Sequence, residues 1–185
     1  MKTKPKENIS SHSKEMRNFI LFLLFVTGLI LTVFEINIFR KTVIDWKIPT
    51  GIWLFTGFVS LFWLRKYLIE CWDTKSLFWH LFFCVVSFGG FFVYGFMAIN
   101  YYLPNKNKVK IIKATIHETG HLAKGKFGCG NPYAYVYIKG ELKELIFPCG
   151  FKIDNNQFVS VKLQRGLLGF DIIVEQIPET TTLLE

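Results

Sequence analysis

Hydrophobic positions fall in three long runs over the first hundred residues and then break into short alternating stretches. The first run, residues 18–39, carries a single charge, Glu35, near its end. As a helix it is about 33 Å long, enough to cross a hydrocarbon core of about 30 Å. The second, residues 48–69, is interrupted by Arg65 and Lys66. The third, residues 77–103, contains no aspartate, glutamate, lysine or arginine and stops at Pro104-Asn105. The pattern predicts three transmembrane helices, preceded by a basic tail over residues 1–17. The first run and its flank are too long for a typical cleaved signal peptide, and no A-x-A-like site follows it.

After Pro104 the period changes to two. Ile112, Ala114 and Ile116 alternate with Lys113, Thr115 and His117, and Val159, Val161 and Leu163 alternate with Ser160 and Lys162. Residues 133–138 run into Lys139-Gly140 and then 141–147, which reads as a β-hairpin. Leu168, Phe170, Ile172 and Val174 are expected to share one face of a last strand. The fold class is therefore an α+β membrane protein: three transmembrane helices (18–39, 48–69 and 77–103), then a small antiparallel β-sheet or partly open β-barrel over 104–178. Residues 179–185 read as a frayed tail.

Composition agrees with this division. The chain is 51% hydrophobic, 17% aromatic and only 19% charged, with a mean hydropathy of +0.30. An ordinary soluble domain is about a quarter charged, so disorder is excluded and a wholly soluble protein is disfavoured. The net charge of +8 suits an anionic membrane surface, and no nucleic-acid-binding fold is recognisable. Tryptophans 46, 53, 63, 72 and 79 and tyrosines 101 and 102 fall near the predicted helix ends, as an interfacial belt would. Eight basic residues in the tail and the second connection face seven in the first connection and the stretch after the third helix. The tail precedes the first helix, so the expected orientation is N-terminus inside and β-domain outside.

Two cysteines bear on the β-domain. Cys129 and Cys149 lie almost symmetrically about the Lys139-Gly140 turn, which sets them near each other across the open end of the hairpin. A disulfide there would close a loop of about 20 residues, adding on the order of 3 kcal/mol in chain-entropy terms, and it requires an oxidising compartment. The alternative is two buried thiols in a reducing cytosol. Cys71 and Cys84 read as packing residues.

One motif carries chemistry. Residues 117–121 spell HETGH, which matches HExxH and resembles the active-site helix of zinc metallopeptidases. On a helix, positions i and i+4 share a face, so His117 and His121 would bind zinc and Glu118 would activate its water. Thr115, Ile116 and Thr119 are β-branched, and Gly120 costs a helix interior about 1 kcal/mol relative to alanine. The metzincin extension needs glycine at 124 and histidine at 127, where Lys124 and Phe127 stand. The local pattern therefore favours a polar β-turn that happens to spell the motif.

Tyr133, Tyr135 and Tyr137 alternate along one strand and form a candidate binding stripe, with half-buried sheet packing as the alternative. His80 and Cys84, at i and i+4, could share a helix face. Gly89, Gly90 and Gly95 would permit close helix approach. Glu35 reads as an interfacial acid.

Taken with residues 161–173 (VKLQRGLLGFDII), the chain resembles small bacterial inner-membrane proteins that carry a few transmembrane helices and a terminal β-domain. The resemblance implies a multi-pass inner-membrane protein; with the orientation expected from the basic tail, the N-terminus is cytoplasmic and the β-domain periplasmic or otherwise extracytoplasmic. The expected function is non-enzymatic: a membrane-anchored binding or accessory protein, such as an envelope interaction or immunity protein. Its expected partners are the lipid bilayer and a protein or second copy, with no cofactor and no nucleic acid. The competing reading is a membrane-tethered zinc peptidase.

Overall fold

A computed structural model describes residues 7–105, 108–123, 130–151, 153 and 158–178. Three helices long and apolar enough to cross a membrane are present, over Lys14–Lys41, Lys47–Trp72 and Leu77–Tyr102. A six-stranded, nearly closed antiparallel sheet accompanies them. The chain divides into two compact units. One holds the apolar helices; the other holds the sheet together with residues 37–45 and 97–105.

Helix α1 (Glu7–Lys41) begins within what the sequence marks as a tail. Charge ends a hydropathy run but does not end a helix, and Lys14, Glu15, Met16 and Arg17 are all good helix formers. Helix α2 (Lys47–Trp72) ends at Asp73, a non-glycine residue with φ of 52° whose N–H donates to the Ile69 carbonyl. The third apolar segment is α3 (Leu77–Cys84), a π-helical turn (Val85–Gly89) and α4 (Gly90–Tyr102).

Two glycines meet that widened turn. A Cβ on Gly28 of α1 would lie 2.5 Å from the Val86 carbonyl oxygen, and one on Gly57 of α2 would lie 2.5 Å from the Val85 side chain. Gly90 in turn faces Gly28, and Gly89 faces Trp53, so these two positions serve close helix approach as expected. Gly95 has open space beside it, so close approach does not account for that glycine. Trp72 packs edge-on against Phe83 at 4.9 Å.

In the second unit the strands are β1 (Thr42–Val43), β2 (Val109–His121), β3 (Pro132–Ile138), β4 (Glu141–Ile146), β5 (Phe158–Arg165) and β6 (Asp171–Pro178). Their order in the sheet is β1-β6-β5-β2-β3-β4. The alternating residues supply the core, where Ala114, Ala134, Val136, Ile138, Leu145, Val159, Val161 and Leu163 are all buried. The β3–β4 turn is Lys139-Gly140, with φ of 55° and 87°. Two central residues at positive φ define the tight hairpin turn whose twist matches the flanking strands.

The last strand differs from expectation. Leu168 and Phe170 belong to the preceding turn. The register steps from Leu163↔Ile173 to Lys162↔Glu175, leaving Val174 as an extra residue. Such a bulge interrupts the alternation, and Val174 is exposed while Ile172 is buried.

Candidate binding cleft at the barrel seam

The seam of the nearly closed sheet lies between β4 and β6. Strand directions follow from the pairings: β3 opposes β2 and β4 opposes β3, while β5 opposes β2 and β6 opposes β5. β4 and β6 therefore run parallel to each other, and β1, antiparallel to β6, is antiparallel to both. Side chains bridge the seam at its two ends. Lys139, just before β4, pairs with Asp171 at the start of β6. The Gln176 side chain donates to the Ile146 carbonyl at the end of β4. Among the described residues, β4 has no strand partner on its seam side, and β1 covers β6 only at Asp171 and Ile172.

A cleft of about 750 Å³ occupies this seam. Its walls are Glu144–Ile146 of β4 and Ile172–Gln176 of β6, and Asn37, Arg40 and Lys41 from the end of α1 also line it. Two cations thus share the opening with Glu144 and Glu175. The last turn of α1 is held by capping of its carbonyls, which a helix end otherwise leaves unsatisfied. Thr42 Oγ1 donates to the Ile38 carbonyl at 2.9 Å. Lys143 of β4 is buried, with Nζ 3.5 Å from the Phe39 carbonyl and 4.3 Å from the centre of the Phe39 ring. Desolvation holds the Lys143 amine below the ordinary lysine range, and Glu141 opposes that shift in part.

The three tyrosines of β3 share the face opposite the core. Tyr133 and Tyr135 are half-buried, 5.3 Å apart between ring centres, and Tyr137 is exposed. Tyr135 lies between Glu118 of β2 and Glu144 of β4 in register. Glu144, then burial, Tyr133 and Glu118 push its phenol above the ordinary range, and Arg40 pulls it down.

The HETGH residues lie in strand β2, in neither a helix nor a turn. The strand that alternates over residues 112–117 runs on to His121, with a register shift between Ile116 and Glu118. A helix would bring positions i and i+4 onto one face; an extended chain separates them by about 13 Å. His117, Glu118 and His121 are all exposed, and His117 packs against Tyr137 at 5.6 Å. The shared helical face that the zincin resemblance requires is therefore not formed. Gly120 has a structural reason instead. It pairs with Tyr133, and a Cβ there would lie 2.5 Å from the tyrosine oxygen.

Cys129 lies outside the described residues. Its expected partner Cys149 has Sγ 2.9 Å from Asn131 Oδ1, beside the chain that leads to position 129. Cys71 and Cys84 carry free thiols. His80 and Cys84 are both completely buried, and His80 stacks on Trp72 at 6.0 Å. Among the described residues, no group of three or more histidine, cysteine or acidic side chains is placed to hold a metal ion.

Pattern reading brought none of the cleft residues together. Asn37, Arg40, Lys41 and Tyr101 sit at the ends of apolar runs, and a two-residue strand such as β1 is too short to show a period. Comparison with known protein families, curated proteins and solved structures gives no match.

Proposed function

We propose that this chain is a membrane-anchored, non-enzymatic binding protein that takes up an extended segment of a partner protein in the seam between β4 and β6. The observation that carries this reading is the pair of parallel strand edges lining one cleft. Strand edges without a neighbour are templates for another chain. Strand addition supplies main-chain hydrogen bonds, and flanking side chains supply selectivity. A segment entering here runs antiparallel to both edges, in the sense that β1 already follows. Arg40 and Lys41 from the end of α1, with Glu144 on one wall and Glu175 on the other, favour a segment carrying both signs of charge. A benzophenone amino acid in place of Val174, which is exposed and lines the cleft, should give a protein adduct on illumination in native membranes. The same group in place of Phe58, in the second apolar helix, should not. Absence of any adduct from position 174 overturns the reading.

The three apolar helices are proposed to cross a bacterial inner membrane, with the N-terminus cytoplasmic and the β-domain outside. Their outward side chains support this: Phe55, Phe62 and Trp63 are 69%, 85% and 86% exposed. Residues 37–45 and the C-terminal sheet belong to one unit, which an odd number of crossings requires. An extracytoplasmic domain accommodates a Cys129–Cys149 disulfide, and the approach of Cys149 to Asn131 supports that pairing. Denatured, unreduced protein should then react at two thiols and reduced protein at four. Four thiols before reduction would exclude the disulfide.

A further inference from the structure

The turn between β5 and β6 is built on the last apolar helix. Asn100 of α4 is completely buried; its Oδ1 accepts from the Leu168 N–H at 3.1 Å and its Nδ2 donates to the Phe170 carbonyl at 3.3 Å. Within the turn, the Gly166 N–H donates to the Phe170 carbonyl at 2.8 Å and the Gly169 N–H to the Gly166 carbonyl at 3.0 Å. Gly166 is the closest neighbour of this arrangement, since a Cβ there would overlap the Asn100 amide. Gly169 sits at φ of +92°. The Asn105 N–H donates to the Arg165 carbonyl at 2.8 Å, which ties the chain leaving α4 to the same turn.

This scaffold presents two leucines to the outside. Leu167 is 59% exposed and Leu168 41% exposed. Their level relative to the helix is fixed. Asn100 lies two residues before the helix end at Tyr102, about 3 Å along the axis. Tyr102 and Leu103 at that end are themselves exposed, at 63% and 55%. Solvent-facing turns are usually polar, and neighbouring exposed leucines pinned by a buried asparagine at the end of an apolar helix are not explained by packing.

We infer that the Gly166–Gly169 turn seats Leu167 and Leu168 in the headgroup and upper acyl region of the bilayer, as a lipid contact of the β-domain beyond its helices. The inference rests on the reading that the apolar helices cross a bilayer. Aromatic and apolar side chains at the helix end stand at the level where amphipathic rings meet headgroups, and the turn is held at that level by hydrogen bonds from one side chain. The occupant is lipid; no protein partner is required.

The test uses the full chain in vesicles of phosphatidylethanolamine and phosphatidylglycerol. An environment-sensitive fluorophore is placed on Leu168→Cys, or on Leu167→Cys if the first variant misfolds, with the unsubstituted chain labelled in parallel as the blank. Reference probes go on Phe58→Cys, in the second apolar helix, and on His121→Cys, exposed at the far end of β2. The turn probe should be quenched by nitroxide-bearing lipids and protected several-fold from iodide, as at Phe58, while the His121 probe should show the reverse. A turn probe that behaves like His121 beside a lipid-quenched Phe58 probe overturns this inference and leaves the membrane reading intact. If the Phe58 probe is also open to iodide, the membrane reading fails and the inference fails with it.

Discussion

Lys143 reaches from inside the sheet to the end of the first helix, its ammonium lying 3.5 Å from the Phe39 carbonyl and over the Phe39 ring. A cation at a helix C-terminus is favourable, yet this one is buried, and desolvation lowers its proton affinity. The unfolded chain then holds the proton more tightly than the folded one. Stability should rise as pH increases from the lowered folded value toward the ordinary 10.5. Lys143→Met, which keeps the stem and removes the charge, should abolish that rise and change stability at neutral pH by no more than about 1.5 kcal/mol. Unfolding curves of both proteins over an alkaline pH series measure this.

Tyr135 titrates in the opposite sense. Its phenol is pushed above 10.0, first by Glu144, so the folded chain resists ionisation longer than the unfolded one. Stability contributed by this group is therefore lost as pH rises through 10.0 toward the folded value. Glu144→Gln should bring the phenol down, seen as the ultraviolet difference titration between each protein and its Tyr135→Phe counterpart. An unchanged titration would mean that the carboxylate does not act on the ring.

The two glycines of α4, Gly90 and Gly95, should respond differently to one methyl group. At Gly90 an added Cβ lies 2.6 Å from the Gly28 carbonyl oxygen and 2.9 Å from Thr32 Oγ1, and backbone cannot yield as a side chain can. Gly90→Ala should lower thermal stability in detergent by about 1–3 kcal/mol. Gly95→Ala meets nothing within 4 Å and should be neutral or stabilising by up to about 1 kcal/mol through helix propensity.

Asn100→Ala removes both side-chain hydrogen bonds that α4 makes to the β5–β6 turn. The loss should be about 1–3 kcal/mol, concentrated in local opening. Trypsin cleavage after Arg165, which is exposed, should accelerate by about tenfold relative to the native chain. Equal cleavage rates would show that the turn is held by its own backbone bonds alone.

Much of this architecture was legible in the pattern. The three apolar runs gave the helices, the alternation gave the core face of β2 and β5, and Lys139-Gly140 marked the hairpin. What escaped was either very short or non-local. β1 has two residues, and no period exists in two residues. The bulge at Val174 depends on its neighbour's register, so the alternation of 168, 170, 172 and 174 misled. HETGH shows the limit of motifs most plainly. Five letters fit a metallopeptidase helix, but β-branched neighbours and the pairing of Gly120 with Tyr133 make them a strand. The cleft could not be read at all, because Arg40 and Glu144 become neighbours only once the sheet has curled.

The short strand β1 also constrains how the molecule can be made. Thr42 pairs with Ile172 and Val43 with Asp171, so the contact that fills this edge joins positions 130 residues apart in the chain. Such a contact carries a high loop-closure cost and forms late. During synthesis the end of the first helix emerges long before β6, the last strand, exists to receive it. The sheet can therefore be completed only after both later apolar helices have been synthesised, and a fragment starting at residue 104 would lack one of its six strands. Completion of the barrel therefore brings the connection after the first helix back to the last strand, across everything the chain has made in between.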